Sequence, residues 1–397
     1  MTIQPRLAIK KYNVVSLLTL LVSPWLSAPF IFFGVFKKSR GALTLLAIFY
    51  ALLSYHIIPL ETNDLASHYR FFEQIEQMNL DQLGVLLESR ADSMFYILMF
   101  VFSKLGLSAQ VLFAFITFLT LENFFRVYYS MFKYSDKKTY GIGIVFLLLS
   151  FLWSFIFLGV RNYFAFSFVL VAFNQGVFKK KHLQGYLWLL LSSTIHFSSI
   201  VFFPIYMALL YGNNNRNYAR NMFLISLLFV FLTKKTLLGI ALLLPFPEQI
   251  QEKLLWYLTG KDIVEIGIEN SISGRILYII LGLWMYLGYI YLFVTIRRKS
   301  ILRNLTYFLF FLLNVLSVAP DPQKRYAYMA RPILLFLVVY EYGIYKNKLF
   351  IYLFMVAMLL FSLVDIYVTK NIYMESFLNF GSLTTIGILS KQIEIVN

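Results

Sequence analysis

An all-α bundle of membrane-crossing helices is the fold class this sequence predicts, and three observations predict it. The chain is 60% hydrophobic and 14% charged, where an ordinary soluble domain carries about 25% charge. Long apolar runs recur along it between short polar links, without the two-residue alternation of a barrel strand. The links alternate between Lys/Arg clusters and acidic stretches, as loops on opposite sides of a bilayer do. Together these predict one polytopic transmembrane domain over residues 1–397, with about 10–12 helices crossing a hydrocarbon core ~30 Å thick.

Composition excludes several chemistries. There is no cysteine, so disulfides, thiolate metal sites and thiol nucleophiles are ruled out. A net charge of +16 would suit a nucleic-acid partner, but the bases sit in short clusters at the ends of apolar runs, as cytoplasmic loops require. No nucleic acid is therefore expected as a partner. The basic start, Met1 to Lys11, precedes an apolar run too long for a removable signal peptide. Neither a Walker loop nor an HExxH helix is present, so an ATP-driven pump is not expected.

Residues Tyr12 to Phe36 are apolar but carry Pro24 and Pro29, with bases on both flanks. They read as a bent hairpin with both ends cytoplasmic, or as one span against the charge rule. Interior prolines break helix hydrogen bonds and favour the hairpin. Gly41 to Leu60 is a clean span. Glu61 to Asp92 then carries seven acids (Glu61, Asp64, Glu73, Glu76, Asp81, Glu88, Asp92) against Arg70 and Arg90, which places it outside the cytoplasm. Phe71, Phe72, Ile75 and Met78 recur with helical spacing, the pattern of a helix lying on a membrane. Ser93 to Leu107 is too short to cross and reads as a half-embedded helix, so 61–108 is an acidic extracytoplasmic loop with embedded helices.

Further spans run to and from basic turns at 133–138, 179–182, 297–303 and 346–348. Leu183 to Tyr211 is one tilted span or two short helices meeting near His196; 221–232 and 236–244 are open in the same way. Residues 245–272 form a second acidic extracytoplasmic loop, and 319–332 (APDPQKRYAYMARP) a cationic one. The last ~28 residues are expected outside.

Charge kept in or beside hydrocarbon is costly and marks function. Arg161 (FLGVRNYFAF) ends one apolar run and begins the next; it binds an anion near a helix start or snorkels to lipid headgroups. Lys324, Arg325 and Arg331, with Tyr326 and Tyr328 between them, form either a diphosphate pocket, given arginine's planar fork, or ion-pair partners for the acidic loop. Arg275 also opens a span, as a phosphate ligand or a headgroup anchor. In ETNDLASHYRFF, Asp64 and His68 lie four apart on one helix face, followed by Tyr69 and Arg70. Asp64 is a general base for a sugar hydroxyl or a helix cap. His196 (SSTIHFSSIVFFP) is one of four histidines, either a hydrogen-bonded core residue or a base.

In this order the motifs resemble the EpsG family of multi-pass polysaccharide-assembly proteins, which includes Wzy-like O-antigen and capsule polymerases. The carriers are Asp64 to Tyr69, with Ser67 where the family pattern has arginine; Arg161 and Ala165 in RNYFAFSFVLVAFNQGVFKKK; His196 and Ser198 in HFSSIVFFP; and KRYAYMARP. The resemblance covers most of Ser23 to Tyr345. It implies a distant likeness to GT-C-type glycosyltransferases, with a catalytic acid in the first outer loop. It also implies undecaprenyl-diphosphate-linked glycans as donor and acceptor, polymerised at the outer face of a bacterial cytoplasmic membrane, with a chain-length regulator as a further partner. On that reading Asp64 or His196 is the base. Arg161, Arg325, Arg331, Arg275 and Lys324, with His68, Tyr69 and Arg70, bind the diphosphate, and Arg161, Arg325 and Arg331 converge with His196 around one outer-leaflet cavity. No cofactor is implied; a divalent cation needs convergent oxygen ligands, and no second acid can be placed beside Asp64. A polyprenyl-phosphate-dependent enzyme adding one sugar, or a flippase, are the alternatives.

The charge asymmetry makes the orientation testable in a chain free of cysteine. A Lys137→Cys variant is expected to resist a membrane-impermeant maleimide in intact spheroplasts and to react after lysis. Labelling of the intact spheroplasts would reverse the orientation.

Overall fold

The computed structural model describes residues 11–61, 63–88, 90, 92–212, 217–231, 236, 272–317, 319–377, 380–391, 393 and 395. Among these the regular elements are helices, with no strand. The chain divides into two units: Met1–Gly141, Trp153–Phe202 and Ile366–Asn397 form the first, Ile142–Leu152 and Phe203–Asp365 the second.

The first unit opens with α1 (Lys11–Val22) and α2 (Pro24–Phe36). Between them Ser23 is extended and its hydroxyl accepts from the Leu26 amide, while Pro24 takes the first helical position, where its missing N–H costs nothing. Asn13 and Ser39 share hydrogen bonds of 3.1 Å, and Tyr12 meets Phe33 edge-on at 6.0 Å. The start of α1 therefore lies beside the end of α2, and the pair is a helical hairpin. Gly34 lets it close on α3 (Arg40–Tyr55): a Cβ there would sit 2.7 Å from that of Ala42 and 3.1 Å from the Tyr12 ring.

Among the described residues the longest helix of this unit is α7 (Ala109–Phe132), 24 residues, or ~36 Å; α8 (Lys137–Ser150) and α9 (Trp153–Phe157) follow it in the chain. Polar side chains tie its neighbours to it, as in membrane bundles. Ser54 of α3 meets Thr117 at 2.9 Å; Glu122 takes Arg40 and, at 3.2 Å, Thr44. Asn123 donates to Ser167 of α10 (Val160–Phe173) at 3.1 Å. A π-helical turn over Asn174–Phe178 and three lysines then join α10 to α11 (His182–Ile195). Ser192 donates 2.8 Å to the Ala165 carbonyl and Trp188 stacks on Phe168 at 5.5 Å, so α10 and α11 form an antiparallel hairpin. The beginning of α10 and the end of α11 thus share the end opposite the lysine turn. At the lysine end, Lys38 donates to the carbonyls of Lys133 and Ser135. Burial first, then the charges of Lys181, Lys133 and Arg126, lower the pKa of Lys179.

Around the start of α7 lie α4 (Asp64–Glu76), α5 (Leu80–Glu88) and α6 (Ser93–Lys104). The helices expected within 61–108 are present. The 183–211 stretch resolves into two helices: α11 stops at His196, a 3-10 turn follows over Phe197–Val201, and α12 runs Phe202–Tyr211. The C-terminal residues return to this unit. Trp25 and Ser23 donate to the carbonyls of Ser382 and Leu383, at 2.9 and 2.5 Å, and Gln110 donates to that of Lys391 at 3.1 Å.

The second unit holds α12 from Phe203, α13 (Tyr218–Ser226), α14 (Ile272–Val294), α15 (Ile301–Val315), α16 (Pro320–Tyr345) and α17 (Lys348–Val368) as far as Asp365, and residues of α14, α15 and the turn between them meet one carboxylate of α16. Glu341, 3% exposed, takes Arg303 at 2.7–2.9 Å, Arg298 at 2.7 Å and the Tyr291 hydroxyl at 2.6 Å. Residues 319–332 differ from expectation: they are helical from Pro320, forming the first turns of α16. Pro320 sits where an amide is not needed, and Pro332 is accommodated within the helix, whose flanks are buried. The expected loop at 245–272 lies outside the described residues, apart from Ile272 at the start of α14.

Three helices, Ala109–Phe132, Pro322–Tyr345 and Lys348–Val368, are long and apolar enough to cross a membrane by length and composition; eight shorter apolar helices accompany them among the described residues. Three helix ends carry a lysine in the left-handed region: Lys38 (φ 56), Lys180 (φ 58) and Lys346 (φ 55).

The approach of α1, α2 and α3 at Gly34 makes a test. Gly34→Ala is expected to cost about 1–3 kcal/mol through overpacking. Gly84→Ala, where a Cβ meets nothing within 4 Å, should gain about 0.5–1 kcal/mol. Thermal melts in detergent compare the two, and an unchanged melting point for Gly34→Ala would contradict the close approach.

Candidate functional site

The α10–α11 hairpin explains how two residues 35 positions apart meet. Arg161 is the second residue of α10, after a Gly159 cap, and His196 follows the last residue of α11. His196 is extended (φ −150, ψ 113) and breaks the helix, which turns its ring into the unit, where it is buried. A cation in the first turn of a helix is opposed by the helix dipole, so Arg161 needs an anion. Asp92 supplies it.

Asp92 precedes α6 in a capping position, yet its side chain makes no cap hydrogen bond. Its Oδ1 accepts from the Phe197 amide at 2.7 Å, and its Oδ2 takes Arg161 Nη1 at 2.9 Å and faces His196 Nδ1 at 3.3 Å. Burial alone would raise its pKa. The hydrogen bond and charge of His196, the Phe197 amide and Arg161 outweigh that and hold it below the usual carboxylate value. Asp92 is thus ionised at neutral pH. The side chain of Arg161 remains 28% exposed, against 16% for Asp92 and 11% for His196, and its guanidinium stands 5.8 Å from the Phe95 ring centroid.

His68 completes the surroundings. Its ring lies 5.2 Å from that of Phe95 and 6.1 Å from that of Phe113. Burial and, after it, the charge of Arg161 lower its pKa to about 4, so it is neutral at physiological pH. Tyr69 is buried and stacked on Phe113 at 5.3 Å.

The other expected site residues are placed differently. Asp64 is exposed at the start of α4 and makes no ion pair or hydrogen bond among the described residues. Arg70 pairs with Glu61 at 2.6 Å, both side chains about half exposed. In the second unit, Lys324 and Arg325 are partly buried on the early turns of α16. Arg331 is wholly enclosed, its Nε donating 2.7 Å to the Ser150 carbonyl and its guanidinium carbon 3.6 Å from the Phe361 ring centroid. It packs within the bundle and is not a loop cation. Arg275 lies in the first turn of α14. Among the described residues no group of three His, Asp or Glu could hold a metal ion.

Asp92 is the residue that the sequence reading passed over. It appeared as the last of seven loop acids directly before a helix, the usual position of a cap.

A family model described as the EpsG family matches residues 42–382, and the chain belongs to that family. Comparisons with curated proteins and with solved structures each return no match.

The lowered pKa of His68 has a stability consequence. An unfolded histidine binds its proton near pH 6.5 but the folded one only near 4. This contribution is therefore present above pH 6.5 and is lost as pH falls toward 4. His68→Phe, filling the same place between Phe95 and Phe113, should flatten the fall in thermal stability over that window. An unchanged pH dependence would mean that His68 is not buried as described.

Proposed function

We propose that this EpsG family protein polymerises undecaprenyl-diphosphate-linked oligosaccharide repeat units, into O-antigen or capsular polysaccharide, by glycosyl transfer at the outer face of a bacterial cytoplasmic membrane. The observation that carries this reading is Arg161, a partly open guanidinium beside His196 at the end of the α10–α11 hairpin away from the lysines. Cleaving a sugar–diphosphate bond leaves negative charge on the phosphates. A fixed guanidinium in a low-dielectric place stabilises that charge most where it develops. The donor already carries the energy in its diphosphate, in keeping with a chain that lacks nucleotide-binding motifs. Arg161 is the leaving-group ligand and His196 the proton acceptor for the attacking hydroxyl. The exposed Asp64 makes no hydrogen bond or ion pair among the described residues, so His196 is preferred as base. Arg325, partly buried and without a partner among the described residues, is the second unit's candidate phosphate ligand; Arg331, enclosed in its bundle, is assigned to structure.

A deletion strain should keep single repeat units on the lipid carrier and lose the long-chain ladder on a glycan gel. A full ladder would rule out the polymerase, and loss of even the single surface repeat would favour a flippase. In complementation, Arg161→Ala should lose about 10²–10³ in rate at equal membrane abundance, erasing long chains. Arg325→Ala should do the same, and Arg161→Lys, which keeps charge but loses the fork, should also impair turnover. The exposed Arg297→Ala is the tolerant control. Wild-type ladders from both Arg161→Ala and Arg325→Ala would refute the phosphate role.

A further inference from the structure

Asp92 holds three groups at once, and the way it holds them assigns roles. Its Oδ1 is fixed by the Phe197 amide at 2.7 Å, one residue after the ring it serves, so the carboxylate cannot rotate freely. Its Oδ2 then lies 3.3 Å from His196 Nδ1 and 2.9 Å from Arg161 Nη1. An ionised carboxylate only accepts hydrogen bonds. The nitrogen facing it must therefore carry the hydrogen, which leaves the lone pair of a neutral imidazole on Nε2.

We propose that Asp92 is a positioning residue for glycosyl transfer, holding His196 as the Nδ1–H tautomer so that Nε2 takes the proton of the acceptor sugar's hydroxyl. The inference rests on the polymerase reading. In the step, the O–H bond breaks and its proton goes to His196 Nε2. The oxygen's electron pair forms the new bond to the donor's anomeric carbon, and the carbon–oxygen bond to the diphosphate breaks with its electrons on the departing phosphate, beside Arg161. The imidazolium so formed stands against the Asp92 carboxylate, and its proton returns to water. A carboxylate behind a catalytic imidazole sets its tautomer and stabilises its charged form. Among the described residues the charged and titratable groups around His196 are Asp92, which it faces, and Arg161 on the same carboxylate, with His68 beyond Arg161.

The test uses membranes of the deletion strain, which hold the unpolymerised lipid-linked repeat, as substrate for the purified full-length protein from pH 5 to 8. The wild-type rate should rise with pH through one deprotonation, and the limb should vanish from the residual rate of His196→Ala. Asp92→Asn keeps an acceptor for the Phe197 amide and removes the charge. It should lower the plateau about 10²-fold or more and move the acid limb to lower pH, since loss of the anion disfavours the imidazolium. An Asp92→Asn enzyme with an unshifted limb, or with wild-type rates, overturns the proposal. If that variant does not reach the membrane, the wild-type profile decides: a flat profile overturns the proposal, and a limb that His196→Ala removes upholds it. Wild-type protein that makes no polymer from this substrate would instead sink the polymerase reading itself.

Discussion

An isolated charge among apolar helices is costly, and the described part of this protein meets that cost with shared acids. Each of three carboxylates gathers more than one donor. Glu122 takes Arg40 and Thr44, with Arg126 at 3.8 Å. Glu341 takes Arg303, Arg298 and Tyr291. Asp92 takes Arg161, His196 and a backbone amide. One acid serving several partners suits a chain with 35 basic and 19 acidic residues. Breaking such a buried pair from one side strands the other charge, which is more damaging than never having had the pair.

The three centres differ in how closed they are. Around Glu341 the enclosure is nearly complete, with Arg303 0% exposed and its donors divided among the carboxylate, Thr295 and Tyr307. Such a network, tying residues of α14, α15 and α16 to one acid, reads as a fastening between helices. Arg161 keeps more than a quarter of its side-chain surface, and its fork has donors beyond the one given to Asp92. The two centres therefore differ in how far their central arginine is enclosed, and not in residue type.

Much of the fold is legible in the sequence because apolar length and charge sidedness act locally. The α1–α2 hairpin follows from Pro24 and from matching polar ends at Asn13 and Ser39, and the break at His196 from a polar interruption in a run too long for one helix. Residues 319–332 mislead because proline marks both a loop and the first turn of a helix, and Pro320 and Pro332 each allow α16 to form. Within the site, Arg161 and His196 stand out as charge and imidazole in apolar surroundings. Asp92 does not, because its local sequence is that of an ordinary cap; its partners are 69 and 104 positions away, and only the antiparallel α10–α11 pair brings them to it.

Lys38, Lys180 and Lys346 share one uncommon backbone conformation. Each holds a left-handed backbone where glycine is the relaxed choice, at a strain of about 1 kcal/mol or more. Each also belongs to a basic turn of the kind that stays in the cytoplasm during insertion. On the orientation expected from the sequence, the residue that stops the helix is also one of those that carry the sidedness signal. During synthesis, helix length and orientation would be decided together at these positions. Glycine there would relax the backbone and, in the same stroke, weaken the information about which way the nascent helix should face.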